Sequence, residues 1–183
     1  MDSSSSDHLH SSLPELLPTP DGHRQCSGCE RVIYNDPKLA VAAIVPLDGG
    51  IVLVRRAIEP AYGKWSFPSG YVNRGEQVER ALEREVLEET GLVVEVGPLI
   101  AVYTNPNMLL TYPDGNKWQI VVMHFACKPI GGELATSSET LRVNYFPKDD
   151  IPTLNIGDFD RLRIQHGFQY DGSTLIHETI KIN

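Results

Sequence analysis

The sequence predicts an α/β fold in which a mixed β-sheet packs between helices. Three observations carry that expectation: several strand-like apolar runs, one strongly periodic helix at residues 77–89, and a second helical pattern at 157–168. The chain has 183 residues, enough for one domain with a true core and short extensions. Apolar residues make up 41% of it, as a folded core requires.

In chain order, residues 1–22 are rich in Ser and Pro, lack periodicity and predict a mobile or loosely docked extension with His8 and His10 in solvent. Residues 23–38, HRQCSGCERVIYNDPK, read as a short knuckle leading into a main domain at 39–170. LAVAAIVP (39–46), the DGG turn and IVLVRR (51–56) predict a β-hairpin, with glycines supplying positive φ. AIEPAYGKWSFPSG is a loop punctuated by Pro60, Gly63, Pro68 and Gly70. The helix at 77–89 ends at Gly91, in the usual C-terminal position. LVVEVG and LIAVYT predict strands, and NKWQIVVMHFACKP (116–129) a longer one entered through the YPDGN turn of a second hairpin. RVNYF (142–146) is a further strand. GDFDRLRIQHGF (157–168) sets Phe159, Leu162, Ile164 and Phe168 at helical spacing without defining the inward face. Residues 171–183 are an edge strand or a tail.

A net charge of −8 argues against a nucleic-acid or anionic-membrane surface, since both want a basic patch. It leaves room for an anionic small substrate, because a bound divalent cation inverts the local sign. No apolar run approaches the ~20 residues of a membrane span, and the N-terminus lacks the basic start and apolar core of a signal peptide. A cytoplasmic protein is expected. Three cysteines, Cys26, Cys29 and Cys127, fit a reducing compartment and do not suggest a disulfide framework. Cys127 reads as a buried small apolar side chain.

The central helix carries the chemistry. At 100° per residue, Val78, Ala81 and Leu82 share one face, with Val86 at its margin. Glu85, Glu88 and Glu89 continue that face one turn on, while Glu79, Arg80 and Glu83 point to solvent. Three converging carboxylates resist simultaneous ionisation. Hard divalent cations relieve this, because they favour oxygen ligands. The alternative is a solvated face with i,i+4 ion pairs to Arg80 and Arg84.

The stretch GYVNRGEQVERALEREVLEETGL resembles the Nudix box, G-x5-E-x7-R-E-U-x-E-E-x-G-U with U apolar. All its fixed positions are met, at Gly70, Glu76, Arg84, Glu85, Val86, Glu88, Glu89, Gly91 and Leu92. The resemblance implies a Nudix-type α/β/α sandwich and a hydrolase that cleaves a pyrophosphate bond with Mg²⁺ or Mn²⁺. It implies that Glu85, Glu88 and Glu89 hold the ions together with the backbone carbonyl of Ser69. Gly70 would let the backbone approach closely. Arg84 would orient the glutamates, or form only a surface pair with Glu88. Glu76 would help from the outer shell, or simply favour the helix N-terminus. Family members differ in which glutamate accepts the proton from water. Here the candidates are Glu85 and, on the later loop GGELATSSETLRVNYF, Glu139, whose alternative is an exposed loop carboxylate.

Substrate is less determined. WSFPSGYV resembles the W-x-x-P-x-G-[FY] approach of ADP-ribose and related dinucleotide hydrolases, and Pro106 falls where the ADP-ribose subgroup tends to carry a proline. Arg55 and Arg56 end a strand near the expected phosphates or merely flank that site, and Tyr62, Trp65, Tyr103 and Trp118 are candidates to stack on a base, against the commoner role of aromatics as core residues. Cys26 and Cys29 resemble half of the zinc ribbon that precedes some Nudix domains. A structural zinc site wants four ligands, and His23 with His8 or His10 would have to complete it, so a metal-free remnant is the favoured reading. The leading expectation is a metal-dependent pyrophosphohydrolase of ADP-ribose or a related dinucleotide. The alternatives are a nucleoside triphosphate pyrophosphatase that cleans the nucleotide pool and a non-catalytic nucleotide-sensing module, which the complete set of box glutamates disfavours. A nucleotide is the expected partner, and a homodimer using the C-terminal stretch is compatible with the resemblance.

Overall fold

The computed structural model describes residues 14–34, 36–106 and 109–177. The chain divides into two compact units, Met1–Asp36 and Pro37–Asn183. The first holds three short antiparallel strands, β1 (Leu16–Pro18), β2 (Arg24–Cys26) and β3 (Val32–Ile33), in the order β1-β2-β3. His8 and His10 lie outside the described residues.

Among its described residues the second unit contains two sheets and two α-helices. Its strands are β4 (Lys38–Ile44), β5 (Pro46–Leu47), β6 (Gly50–Arg56), β7 (Trp65–Ser66), β8 (Ser69–Tyr71), β9 (Leu92–Tyr103), β10 (Leu109–Thr111), β11 (Lys117–Gly132), β12 (Thr140–Pro147) and β13 (Leu175–His177). The helices are α1 (Val78–Thr90) and α2 (Asp158–Phe168). The larger sheet runs β13-β9-β11-β4-β8, with β10 beside β11; the smaller runs β12-β6-β5, with β7 beside β6. The larger sheet is mixed, since β11–β4 and β13–β9 are parallel while β11–β9 and β4–β8 are antiparallel.

Strand periodicity explains the layers. Ala40, Ala42 and Ile44 of β4 turn to one core, which includes Ile164 and Phe159 of α2. Val41 and Ala43 turn to the other, against Ala81, Leu82 and Val86 of α1. Each fully buried Leu or Val stabilises the fold by roughly 1.5–3 kcal/mol. Val86, expected at the margin of the apolar face, is fully buried. α1 ends at Gly91, whose φ of 76° lets its N–H reach the Leu87 carbonyl at 2.9 Å.

Three expectations need correction. Residues 39–46 and 51–56 are not one hairpin: β4 joins the larger sheet, and only β5 turns back on β6, through Leu47↔Gly50. Pro46 has no N–H to give to a central ladder, so the chain leaves the first sheet there. The positive φ values in the turn belong to Asp48 (47°) and Gly49 (79°), not to both glycines. LVVEVG and LIAVYT form one strand, β9, because a register shift opposite Phe125 and Cys127 absorbs Gly97 and Pro98. Within the C-terminal stretch, Leu175–His177 form β13, an edge strand parallel to β9, and residues 178–183 lie outside the described residues.

His124 of β11 was not expected in the core, yet it is fully buried. Neither ring nitrogen has a hydrogen-bond partner among the described residues. Its ring meets Phe67 edge-on at 4.3 Å, and burial holds its pKa well below the usual value. Cys127 is buried as expected, and burial pushes its thiol up to about 12. Among the described residues no helix is long and apolar enough to cross a membrane.

Candidate active site

The short edge strand β8 sets the site. Its pairing with β4 fixes Ser69 opposite Ala42 and Gly70 opposite Val41, in contact with the last two turns of α1. The Ser69 N–H donates to Glu89 Oε2 at 2.8 Å. A Cβ on Gly70 would overlap the Glu85 carboxyl group, so only glycine leaves that carboxylate its position. Gly70→Ala is therefore expected to fold but to displace Glu85, lowering kcat on the order of 10²-fold. Steady-state kinetics beside a melting curve checks this.

Arg84 ties the cluster together. Its Nε and Nη2 donate to the two Glu76 carboxylate oxygens at 2.8 and 3.0 Å. Its Nη1 donates to Glu85 at 2.7 Å and Glu88 at 3.1 Å, and Nη2 also reaches the Tyr71 carbonyl at 3.1 Å. The Arg84–Glu88 contact is thus one arm of a larger fork. Glu76 also accepts the Asn73 N–H at 3.0 Å. The Arg84 hydrogen bond is the main reason its carboxyl falls to about 2.

The three helix glutamates differ. Glu89 is 4% exposed, and burial pushes its carboxyl up to about 8 despite the Ser69 N–H. Glu85 is half-buried and its pKa is also raised, by burial first, with Arg84 opposing. Glu88, expected to face inward with them, has a side chain 57% exposed and stands at the rim. Its position one residue before the buried Glu89 turns it outward on the helix. Among the described residues no three His, Cys, Asp or Glu side chains converge as a ready-made metal cage. The donors that do meet, the Glu85 and Glu89 carboxylates beside Ser69, are all hard oxygens of the kind Mg²⁺ and Mn²⁺ prefer. Burial raises the pKa of both the half-buried Glu85 and the buried Glu89, and a divalent ion beside them would favour their ionised, ligating forms, so the residues present fit such an ion.

These groups line one cavity of about 780 Å³, the size of a small-molecule site. Glu139 and Arg56 line it as well. The Glu139 turn is held by its carbonyl, which accepts the Ala57 N–H at 2.8 Å, and by its N–H, which donates to Ser137 Oγ at 3.2 Å. Arg56 Nε donates to the Pro60 carbonyl at 2.9 Å, fixing the adjacent loop.

Arg55 and Trp65, expected at the substrate, lie outside this cavity wall. Strand alternation sends Arg55 away from Arg56, and its Nε holds the Gly63 carbonyl at 2.9 Å. Trp65, paired with Arg55, packs edge-on against Phe146 at 4.7 Å. The other aromatic candidates are also elsewhere. Tyr62 is exposed, Tyr103 is buried with its hydroxyl 3.0 Å from His166 Nδ1, and Trp118 lies under the Lys38 ammonium at 4.6 Å. The aromatics that do line the cavity are Tyr71, which closes the W-x-x-P-x-G-[FY] stretch, Phe159, which the sequence places only by its helical spacing, and Tyr112; the sequence does not single out Tyr112, Asp160 or Arg163.

In the first unit, Cys26 is half-buried, Cys29 is exposed and both thiols are free. The Cys29 and Gly28 N–H groups hold the Cys26 thiol below its usual pKa. The His23 ring packs on Tyr34 at 4.9 Å. A four-ligand zinc site is not assembled from the described residues.

Comparison with known proteins bears on the second unit. A family model described as the NUDIX domain matches residues 36–165. An ADP-ribose pyrophosphatase of Methanocaldococcus jannaschii is 36% identical over 122 residues, 67% of this chain and 69% of that protein. A MutT-like protein of Streptomyces ambofaciens is 37% identical over 108 residues, 59% of this chain and 62% of that one. The chain thus spans about two thirds of these relatives. The crystal structure of a NUDIX hydrolase from Nitrosomonas europaea superimposes with a TM-score of 0.72 at 26% identity, covering 91% of this chain and 94% of that one.

Proposed function

The chain belongs to the Nudix hydrolase family, and from that premise we propose that it hydrolyses the diphosphate bond of a nucleoside diphosphate derivative, ADP-ribose in particular, with Mg²⁺ or Mn²⁺. The observation that carries this reading is the acidic pole of the cavity, lined by the half-buried Glu85 and the buried Glu89, where Arg84 holds Glu85 at 2.7 Å and the Ser69 N–H holds Glu89 at 2.8 Å. The likeness to the Methanocaldococcus jannaschii protein, 36% identical, supports ADP-ribose as substrate.

In this reading Glu85, Glu89 and Ser69 are the principal ion holders, with Glu88 joining from the rim. Ions held by these residues would supply charge neutralisation for the diphosphate, polarisation of its P–O bonds and a more acidic water. Water adds to one phosphorus as the bridging P–O bond breaks, giving AMP and ribose 5-phosphate, and a carboxylate takes the water's proton. Glu85 already accepts from Arg84 at 2.7 Å. The Glu139 carboxylate has no hydrogen bond or ion pair among the described residues, which favours it as the base. Glu139→Gln should lower kcat on the order of 10²-fold with KM little changed. An unchanged kcat in a single-turnover assay would transfer the role to Glu85.

The reading is tested by a panel of nucleoside diphosphate derivatives and nucleoside triphosphates, assayed with each ion and with products identified. AMP and a sugar phosphate are expected. A monophosphate plus pyrophosphate as the dominant products, with ADP-ribose untouched, would identify a triphosphate pyrophosphatase instead.

A further inference from the structure

Diphosphate hydrolysis uses one pole of the cavity and leaves the α2 wall unexplained. Arg163 of that helix is 5% exposed, yet it lines the cavity. One of its amino groups donates to Asp160 Oδ1, and its guanidinium lies 4.6 Å from the Phe159 ring centre and 5.2 Å from that of Phe67. Its Nε is buried without any hydrogen-bond partner among the described residues. A buried N–H with no acceptor costs free energy, and a cation taken so far from water is a poor choice for a merely structural strut. Asp160 also lines the cavity, and its second oxygen accepts no hydrogen bond among the described residues.

The pair therefore offers a donor and an acceptor side by side, walled by the apolar Ile120, Val122 and Leu110. Adenine displays the complement, an exocyclic N6–H donor next to the N7 acceptor. We propose that Asp160 and Arg163 read the base of the substrate, Asp160 accepting from the 6-amino group and Arg163 donating to the neighbouring ring nitrogen. The inference rests on the nucleoside diphosphate reading above and names which end of that substrate α2 recognises. Arg163 and Asp160 are then specificity determinants, remote from the reacting phosphorus.

The test compares ADP-ribose with its analogue lacking only the 6-amino group, on the wild-type protein and on the double variant Asp160→Leu/Arg163→Met. Removing both partners leaves no uncompensated buried charge, so the fold is expected to survive. Wild type should favour ADP-ribose by roughly 10- to 100-fold in kcat/KM, the discrimination a donor–acceptor pair gives. In the double variant that ratio should collapse toward unity, chiefly through a higher KM for ADP-ribose. A purely structural pair predicts equal losses on both substrates and an unchanged ratio, which would overturn the proposal. Equal wild-type rates on the two substrates would overturn it without any variant and leave the hydrolase reading intact. Failure of the wild type to cleave any nucleoside diphosphate derivative would instead remove the hydrolase reading, and this inference with it.

Discussion

Glu89→Gln is expected to lower kcat by about 10³-fold or more, since a charged oxygen ligand is lost where several kcal/mol of charge stabilisation is needed. The fold should survive. Glutamine preserves volume, and its carbonyl oxygen can still accept the Ser69 N–H that Glu89 takes at 2.8 Å. A second signature separates this from generic damage. Burial raises the Glu89 carboxyl from 4.5 to about 8, so without metal the folded state keeps a proton that the unfolded chain releases. The associated stability is complete below the unfolded value and is lost as pH rises through about 8. In a chelator, the variant should therefore match wild type below pH 4.5 and exceed it by a margin that grows up to about pH 8 and then levels off. The gain should be on the order of 1–2 kcal/mol, discounted from the full shift because water reaches the open cavity. Melting curves across pH, read beside the rates, check both halves.

Arg84→Gln should have the next largest effect. One guanidinium contacts Glu76, Glu85, Glu88 and the Tyr71 carbonyl, all within 3.1 Å. Without it, Glu85 and Glu88 repel each other, and of the ties between β8 and α1 the Arg84 bond to the Tyr71 carbonyl is lost. Divalent-ion affinity should fall about 10- to 100-fold, the usual consequence of removing a group that orients ligands. Arg84→Lys should not rescue it, because an ammonium is a point charge and cannot fork between four partners. Manganese titration of the two variants measures this, and wild-type affinity in the lysine variant would refute the assigned role.

The helix and its chemistry were legible because both are local. An apolar stripe at 100°, a C-terminal glycine and carboxylates at fixed spacing lie within a single segment of chain. Glu88 lines the cavity only at its rim, because the 100° spacing that groups it with Glu85 and Glu89 still sets it a full 100° from the buried Glu89. Arg55 and Arg56 were grouped by adjacency, but a strand sends neighbours to opposite faces, and nothing in IVLVRR says which face meets the cavity. The hairpin at 39–56 was misjudged for a related reason. LAVAAIVP is apolar at nearly every position, so it fits a strand buried on both sides as well as a simple hairpin. The α2 wall was invisible for a third reason. Arg163 occupies the inward face where a helical pattern leads one to expect an apolar residue, while Phe168 is exposed. Tyr71 and Tyr112, whose hydroxyls meet across 41 residues of sequence, are joined only by long-range pairing of β8 and β10 with their sheet neighbours.

Crystals soaked in manganese and measured at its absorption edge give the most direct test. An anomalous peak bonded to carboxylate oxygens of Glu85 and Glu89 and to the carbonyl of Ser69 is the predicted outcome. Crystals of active protein in which those carboxylates bind no manganese, at ion concentrations that support turnover, would contradict the account at its root.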